Sequence, residues 1–99
     1  MITHVVVFWT DKPVEENRAK LLEGVKPLAD IPSLKNFRYG AAVPNTRATV
    51  DDSFAVAISM DFETQADADA YQVHPLHKEF LKNYVGSVAK RVTIYDFGA

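Results

Sequence analysis

The segment Ile2–Trp9 is apolar at nearly every position, and it restricts the fold more than any other part of this 99-residue chain. Its β-branched and aromatic side chains favour a strand. Successive side chains of a strand point to opposite faces of a sheet, so Val6 and Phe8 belong to one face and Val5 and Val7 to the other. Both faces of the sheet therefore need cover, either from helices or from a second chain.

Helical and strand patterns alternate in the next half of the sequence, up to residue 62. Pro13 with the glutamates that follow it favours the start of a helix, and Pro27 predicts that the regular helix ends near Lys26. Residues 34–43 predict a second strand, in which Gly40 indicates a bulge or a close backbone approach. Residues 53–62 predict a third strand, and residues 44–52 a polar loop between the two. The alternating apolar residues expected on one face of the third strand are Phe54, Val56, Ile58, Met60 and Phe62.

The remaining third predicts a broken helix and a last strand. Thr64 begins a capping pattern for a short helix through Tyr71, and Pro75 can start a second helical piece after a break at His74. Residues 90–97 predict the final strand. The order βαββαβ predicts one α+β domain over residues 1–99, with a ferredoxin-like, four-stranded antiparallel sheet and both helices on one face. Because the other face is also apolar, a second copy is the simplest cover, and we expect a homodimer.

Composition narrows the possible partners and site chemistries. The formal net charge is −2 and 24% of residues are charged, which argues against a nucleic-acid partner. The chain has no cysteine, so disulfides, thiolate nucleophiles and cysteine-ligated metals are excluded. The sequence shows no pattern of a signal peptide or a membrane span, and we expect a cytoplasmic protein that is not associated with membranes.

Two of the three histidines lie in the short segment from Tyr71 to Phe80, on either side of Pro75. An unbroken helix would place Tyr71 and His77 about 120° apart, so the break before Pro75 is needed to direct both side chains toward one cavity. The third histidine, His4, lies in the apolar first strand, where a buried imidazole requires a partner or a pocket.

These residues resemble the stress-responsive A/B barrel (Dabb) family of dimeric α+β barrels over nearly the whole chain. The most specific match is Tyr71-x-x-His74-Pro75-x-His77-x-x-Phe80. The other matches are His4 with the apolar run after it, Ile31–Leu34, Phe37, Gly40, Ser53-Phe54 and Tyr95-Asp96-Phe97.

The resemblance implies the fold and leaves the reaction open, because family members range from stress-associated proteins to a plant polyketide cyclase. The acid–base residues of that cyclase correspond here to Tyr71, His77 and His4. In that interpretation His77 removes a proton next to a substrate carbonyl, Tyr71 hydrogen-bonds the enolate oxygen and His4 orients the ligand. One departure is Gly24, which is expected to leave a gap on the first helix.

Three function classes stay open. The first is acid–base chemistry on a small hydrophobic carbonyl compound by a cofactor-free cyclase or lyase, and the second is a non-catalytic stress-associated or ligand-binding protein. The third is a cofactor-free monooxygenase of the dimeric barrel type, which would place Trp9 near its substrate. Neither a cofactor nor a metal is expected, since His74 and His77 have no third ligand at a convincing spacing. Structural roles are also open: His74 as a helix cap, His4 bonded to a neighbouring element, and Tyr71 at a core edge.

Overall fold

The computed structural model describes residues 1–98, which form one four-stranded antiparallel sheet with its helices on one face. The strands lie in the order β2-β3-β1-β4, so the ferredoxin-like arrangement is confirmed. The elements in chain order are β1 (Ile2–Thr10), α1 (Val14–Val25), a 3₁₀ turn (Lys26–Asp30), β2 (Lys35–Ala41), β3 (Val56–Phe62), α2 (Gln65–Val73), α3 (Pro75–Phe80), a π-helical turn (Leu81–Val85), the single turn α4 (Gly86–Val88) and β4 (Ala89–Gly98).

The core lies between the sheet and the helices. Strand β1 is central, and Val6 is paired with Ile58 of β3 on one side and with Ile94 of β4 on the other. Alternate residues of β1 and β3 point into this layer, where the large side chains are buried. The buried apolar residues are Val6, Phe8, Leu21, Val25, Leu28, Ile31, Ala55, Val56, Ile58, Met60, Phe62, Tyr71 and Phe80.

The helix boundaries confirm the capping predictions. Helix α1 ends at Val25 and continues as the 3₁₀ turn that contains Pro27. The Thr64 hydroxyl accepts a hydrogen bond from the Asp67 N–H at 3.1 Å and caps α2. The backbone is extended at His74, with ψ at 139°, so α2 and α3 are separate helices.

Two strand predictions are corrected. The irregularity in β2 does not lie at Gly40, which is paired with Ala57 and has no atom of the described chain near the position of a Cβ. It lies between Lys35 and Arg38, where Asn36 adopts a left-handed φ of 54°. Asparagine tolerates that conformation because its short polar side chain can hydrogen-bond locally.

Strand β3 begins at Val56, and the predicted position of Phe54 on its core face is wrong. The Phe54 ring contacts the edge of Trp9 at a centroid distance of 6.5 Å, and Trp9 points away from the helices. The Trp9 indole N–H donates to the Ser53 hydroxyl at 3.0 Å. The chain before β3 is therefore held to the helix-free face of the sheet.

The helix-free face of the sheet carries Val5 and Val7 of β1 with Tyr95 and Phe97 of β4. Tyr95 is 60% exposed and Phe97 is 55% exposed. No helix of residues 1–98 packs on this surface, which we call the open face. No helix within those residues is long and apolar enough to cross a membrane.

Candidate functional site

A cavity of about 230 Å³ lies between the sheet and the helical segment from α2 to the π-helical turn. It is smaller than the roughly 300–1,000 Å³ sites of drug-sized ligands, so it suits a small molecule. Its polar end is formed by His4, Tyr71, Gln72 and His77. Its apolar side is formed mainly by Phe8, Phe80, Leu81, Val85, Val92 and Ile94.

The break at Pro75 turns His77 toward Tyr71 and places the two rings in contact, with centroids 4.5 Å apart. The Nδ1 atom of His77 lies 3.1 Å from the backbone carbonyl oxygen of Gln72. A carbonyl only accepts hydrogen bonds, so Nδ1 carries the proton and Nε2 has the lone pair. Burial lowers the pKa of His77 by more than the hydrogen bond to Gln72 raises it, and the nearby His4 lowers it further. His77 is therefore a neutral imidazole that can accept a proton.

Tyr71 lies between the two histidines and is 1% exposed. Its ring centroid is 5.9 Å from that of His4. Burial raises the pKa of the Tyr71 phenol, so the hydroxyl is protonated at neutral pH. Within residues 1–98 no group hydrogen-bonds this hydroxyl. Because Tyr71 lines the cavity, its unpartnered hydroxyl is suited to bond a molecule there.

His4 reaches the cavity from the sheet and is 5% exposed. Its Nδ1 lies 2.5 Å from Oδ1 of Asp96, the residue paired with it on β4. His4 therefore has the partner on a neighbouring strand that one interpretation expected and also lines the cavity, and its role toward a ligand stays a prediction.

Three other candidates lie outside this cavity. The His74 ring accepts a hydrogen bond from the Leu76 N–H at 3.1 Å, which confirms its role as the N-cap of α3. Trp9 points to the open face, where the Arg91 guanidinium lies 4.3 Å from its ring centroid. The placement near the substrate that a monooxygenase would require of Trp9 is therefore not found. No residue of the long loop 42–55 lines the cavity.

The expected gap at Gly24 is also wrong. A Cβ at this position would lie 2.5 Å from Cγ of Tyr84, so the tyrosine ring already occupies the space. The Tyr84 ring stacks in turn on Phe80, with centroids 6.0 Å apart.

Sequence reasoning missed Asp96. The sequence signal that could have identified Asp96 is that it is the one acidic residue of the last strand. Only the register of β4 against β1 shows that it faces His4. Among residues 1–98, no three His, Cys, Asp or Glu side chains are placed to hold a metal ion.

Comparison with known proteins places the chain in a family. The family model for the stress responsive A/B barrel domain (Dabb) matches residues 2–99. No curated protein matches the chain.

Solved structures resemble the whole fold. A Dabb family protein with a ferredoxin-like fold from Mesorhizobium loti is 22% identical, with a TM-score of 0.76 over 99% of this chain and 95% of that one. A dimeric ferredoxin-like protein of unknown function from Thermobifida fusca is 24% identical, with a TM-score of 0.78 over 99% and 90%. The hydroxynitrile lyase of Passiflora edulis is 19% identical, with a TM-score of 0.76 over 97% and 90%. Together with the family model and the observed fold, these likenesses lead to one conclusion: the chain belongs to the stress-responsive A/B barrel (Dabb) family.

Proposed function

We propose that the protein binds a small, neutral, mostly apolar carbonyl compound in the cavity and moves a proton at the carbon next to the carbonyl. The observation that carries this proposal is the hydroxyl of Tyr71, which lacks a protein partner within residues 1–98 and belongs to a buried residue whose ring contacts His77 and lies near His4. The cavity lining within those residues includes no Lys, Arg, Asp or Glu, which favours a ligand without a formal charge.

The residues at the polar end match the needs of enolisation. A histidine Nε2 takes a proton from the carbon, the electron pair of the C–H bond forms a C=C bond, and the π pair of the C=O bond moves to the oxygen. The Tyr71 hydroxyl donates a hydrogen bond to the oxygen as its negative charge develops. Transfer of the proton from the histidine to the enolate oxygen gives the enol, and the same steps in reverse give the keto form. A positioned general base contributes about 10²- to 10⁴-fold, which suits a reactive ketone.

The comparison with solved structures supports an enzyme only at the level of the fold. A hydroxynitrile lyase shares this architecture, and its name shows that the fold can carry a lyase. At 19% identity the likeness transfers neither substrate nor residues. The alternative is a protein that binds a ligand without converting it, and the experiment has to distinguish this protein from an enzyme.

The test uses 1-phenylbutane-1,3-dione, a small β-diketone whose conversion between enol and keto forms is followed by ultraviolet absorbance. Equilibrium dialysis measures binding separately. We expect the parent protein to accelerate the conversion and Tyr71→Phe to slow it by about 10²-fold. Of His4→Gln and His77→Gln, the variant that removes the base should slow it by at least as much. His74→Asn is the matched control, because asparagine is also a good N-cap and His74 lies outside the cavity.

Three outcomes separate the alternatives. Acceleration that depends on Tyr71 and on one of the two histidines supports the proposal. Binding of the diketone without acceleration supports a binding protein and refutes the catalytic part. Acceleration that survives all three cavity variants would place the chemistry elsewhere and refute the assignment of the site.

We also infer that two copies pair through the open face. The face exposes two aromatic side chains of β4 beside the valines of β1, and monomers rarely leave such patches uncovered. The Thermobifida fusca structure is dimeric, which supports pairing in this fold. Tyr95→Lys should shift the mass in light scattering from dimer to monomer at micromolar protein. Val73→Lys is the control, because Val73 is 65% exposed on α2, close to the 60% of Tyr95. A parent monomer would refute the inference.

A further inference from the structure

The two histidines of the cavity differ in the group that holds Nδ1. In His77 this group is the neutral backbone carbonyl of Gln72, at 3.1 Å. In His4 it is the carboxylate of Asp96, at 2.5 Å. Both arrangements place the proton on Nδ1 and leave Nε2 with the lone pair. The full negative charge of the carboxylate stabilises the positive charge that a ring acquires with a second proton more strongly than a neutral carbonyl does.

We propose that Asp96 is a positioning residue that makes His4 the base of the reaction, an inference that rests on the proposed function. The Asp96 carboxylate fixes the His4 ring and its tautomer, so that Nε2 is free in a residue that lines the cavity. On proton transfer the C–H bond of the ligand breaks, an N–H bond forms at Nε2, and the imidazolium is paired with Asp96. His77 then stays neutral, as its burial favours, and contacts Tyr71.

The surroundings of His4 support this division of roles. The rings of Phe62 and Tyr71 lie at centroid distances of 6.0 and 5.9 Å and restrict the imidazole from two sides. The Asp96 side chain is 57% exposed, whereas that of His4 is 7% exposed. Asp96 and His4 share a second small cavity with Asp69, which does not hydrogen-bond His4. The ionisable groups around His4 are thus Asp96 from β4, Tyr71 and Asp69 from α2, and His77 from α3.

The test combines a spectroscopic readout with turnover. Long-range ¹H–¹⁵N NMR at a pH where His4 is neutral reports which ring nitrogen carries the proton. We expect the Nδ1–H tautomer in the parent and a shift toward Nε2–H in Asp96→Leu, which has no atom that can accept from Nδ1. The same variant should slow the keto–enol conversion of 1-phenylbutane-1,3-dione by about 10²-fold or more, with little change in its binding.

Asp69→Leu is the matched control, because it removes the same carboxylate from the same small cavity without touching His4. It should leave both the tautomer and the rate at parental values. An Nε2–H tautomer in the parent, or an Asp96→Leu variant that keeps the parental tautomer and rate, would overturn the proposal. A parent with the Nδ1–H tautomer but no acceleration would uphold the positioning of His4 by Asp96 and refute the proposed enzyme activity, so the two failures are distinguishable.

Discussion

The close packing of Tyr84 on Gly24 predicts that Gly24→Ala destabilises the protein. The same substitution should stabilise the protein once the Tyr84 ring is removed. An alanine Cβ at position 24 would lie 2.5, 2.6 and 2.8 Å from Cγ, Cδ1 and Cδ2 of Tyr84. Real contacts are never that short, so the tyrosine ring has to move. Overpacking of this kind costs about 1–3 kcal/mol. Replacing glycine by alanine inside a helix raises the free energy of unfolding by about 1 kcal/mol. We therefore expect Gly24→Ala to lower the free energy of unfolding by about 0–2 kcal/mol.

The sign changes when the tyrosine is removed. In a Tyr84→Ala background the added methyl group meets no ring, so Gly24→Ala should stabilise the protein by about 1 kcal/mol. The coupling energy between the two sites is then about 1–3 kcal/mol. Gly86→Ala is a control in the parent, since its Cβ would have only an ordinary contact of 3.5 Å with a backbone oxygen and should not be destabilising.

Urea unfolding at one fixed protein concentration measures all of these variants, because the stability of an associating protein depends on concentration. Ligand binding adds a second readout. Tyr84 stacks on Phe80, which lines the cavity, so a displaced Tyr84 ring should also weaken binding of 1-phenylbutane-1,3-dione. A Gly24→Ala protein that is more stable than the parent, with no coupling to Tyr84, would refute the packing assigned to this pair.

Three further predictions concern a cap, a titrating group and a strained residue. In urea unfolding, Thr64→Ala should lower the free energy of unfolding by about 1 kcal/mol, because the cap of α2 is lost. Thr64→Ser should keep most of the stability that Thr64→Ala loses. Because burial lowers the pKa of His77 in the folded protein, the unfolded chain binds the proton more readily, so stability should fall as the pH decreases below about 6.5. His77→Gln should flatten that part of a stability profile measured from pH 7.5 to 5.5, and an unchanged slope would contradict the assignment. At Asn36, whose φ is 54°, Asn36→Gly should be tolerated and Asn36→Val should cost about 1–3 kcal/mol in thermal unfolding; equal stabilities would contradict the strain argument.

The sequence predicted the structure correctly where neighbouring residues alone determine the backbone conformation. The alternation in β3 and the break at His74 and Pro75 were both predictable, because periodicity and proline act on neighbouring residues. The fold order followed from these elements.

Features that depend on distant pairing were not predictable in the same way. The irregularity at Asn36 is supported by Asp61, whose carboxylate accepts hydrogen bonds from the Asn36 amide at 2.8 Å and from Thr3 at 2.7 Å. These partners lie on three different strands, so no local window contains them. We predicted the bulge at Gly40 because glycine often marks a bulge. Its actual position is set by the hydrogen bonds of Asp61 with Asn36 and Thr3.

The candidate site also combines a part that neighbouring residues determine with a part that depends on the pairing of distant strands. Tyr71 and His77 are six residues apart, and the sequence alone shows that an unbroken helix would separate them by about 120°. The break converts that separation into ring contact at 4.5 Å, which explains why the proline stands between them. Asp96 joins His4 across 92 residues of sequence through strand pairing. The helical half of the site is thus encoded locally, and the half on the sheet depends on the register of β4 against β1, so a shift of one residue there would turn Asp96 to the open face and leave His4 buried without its carboxylate.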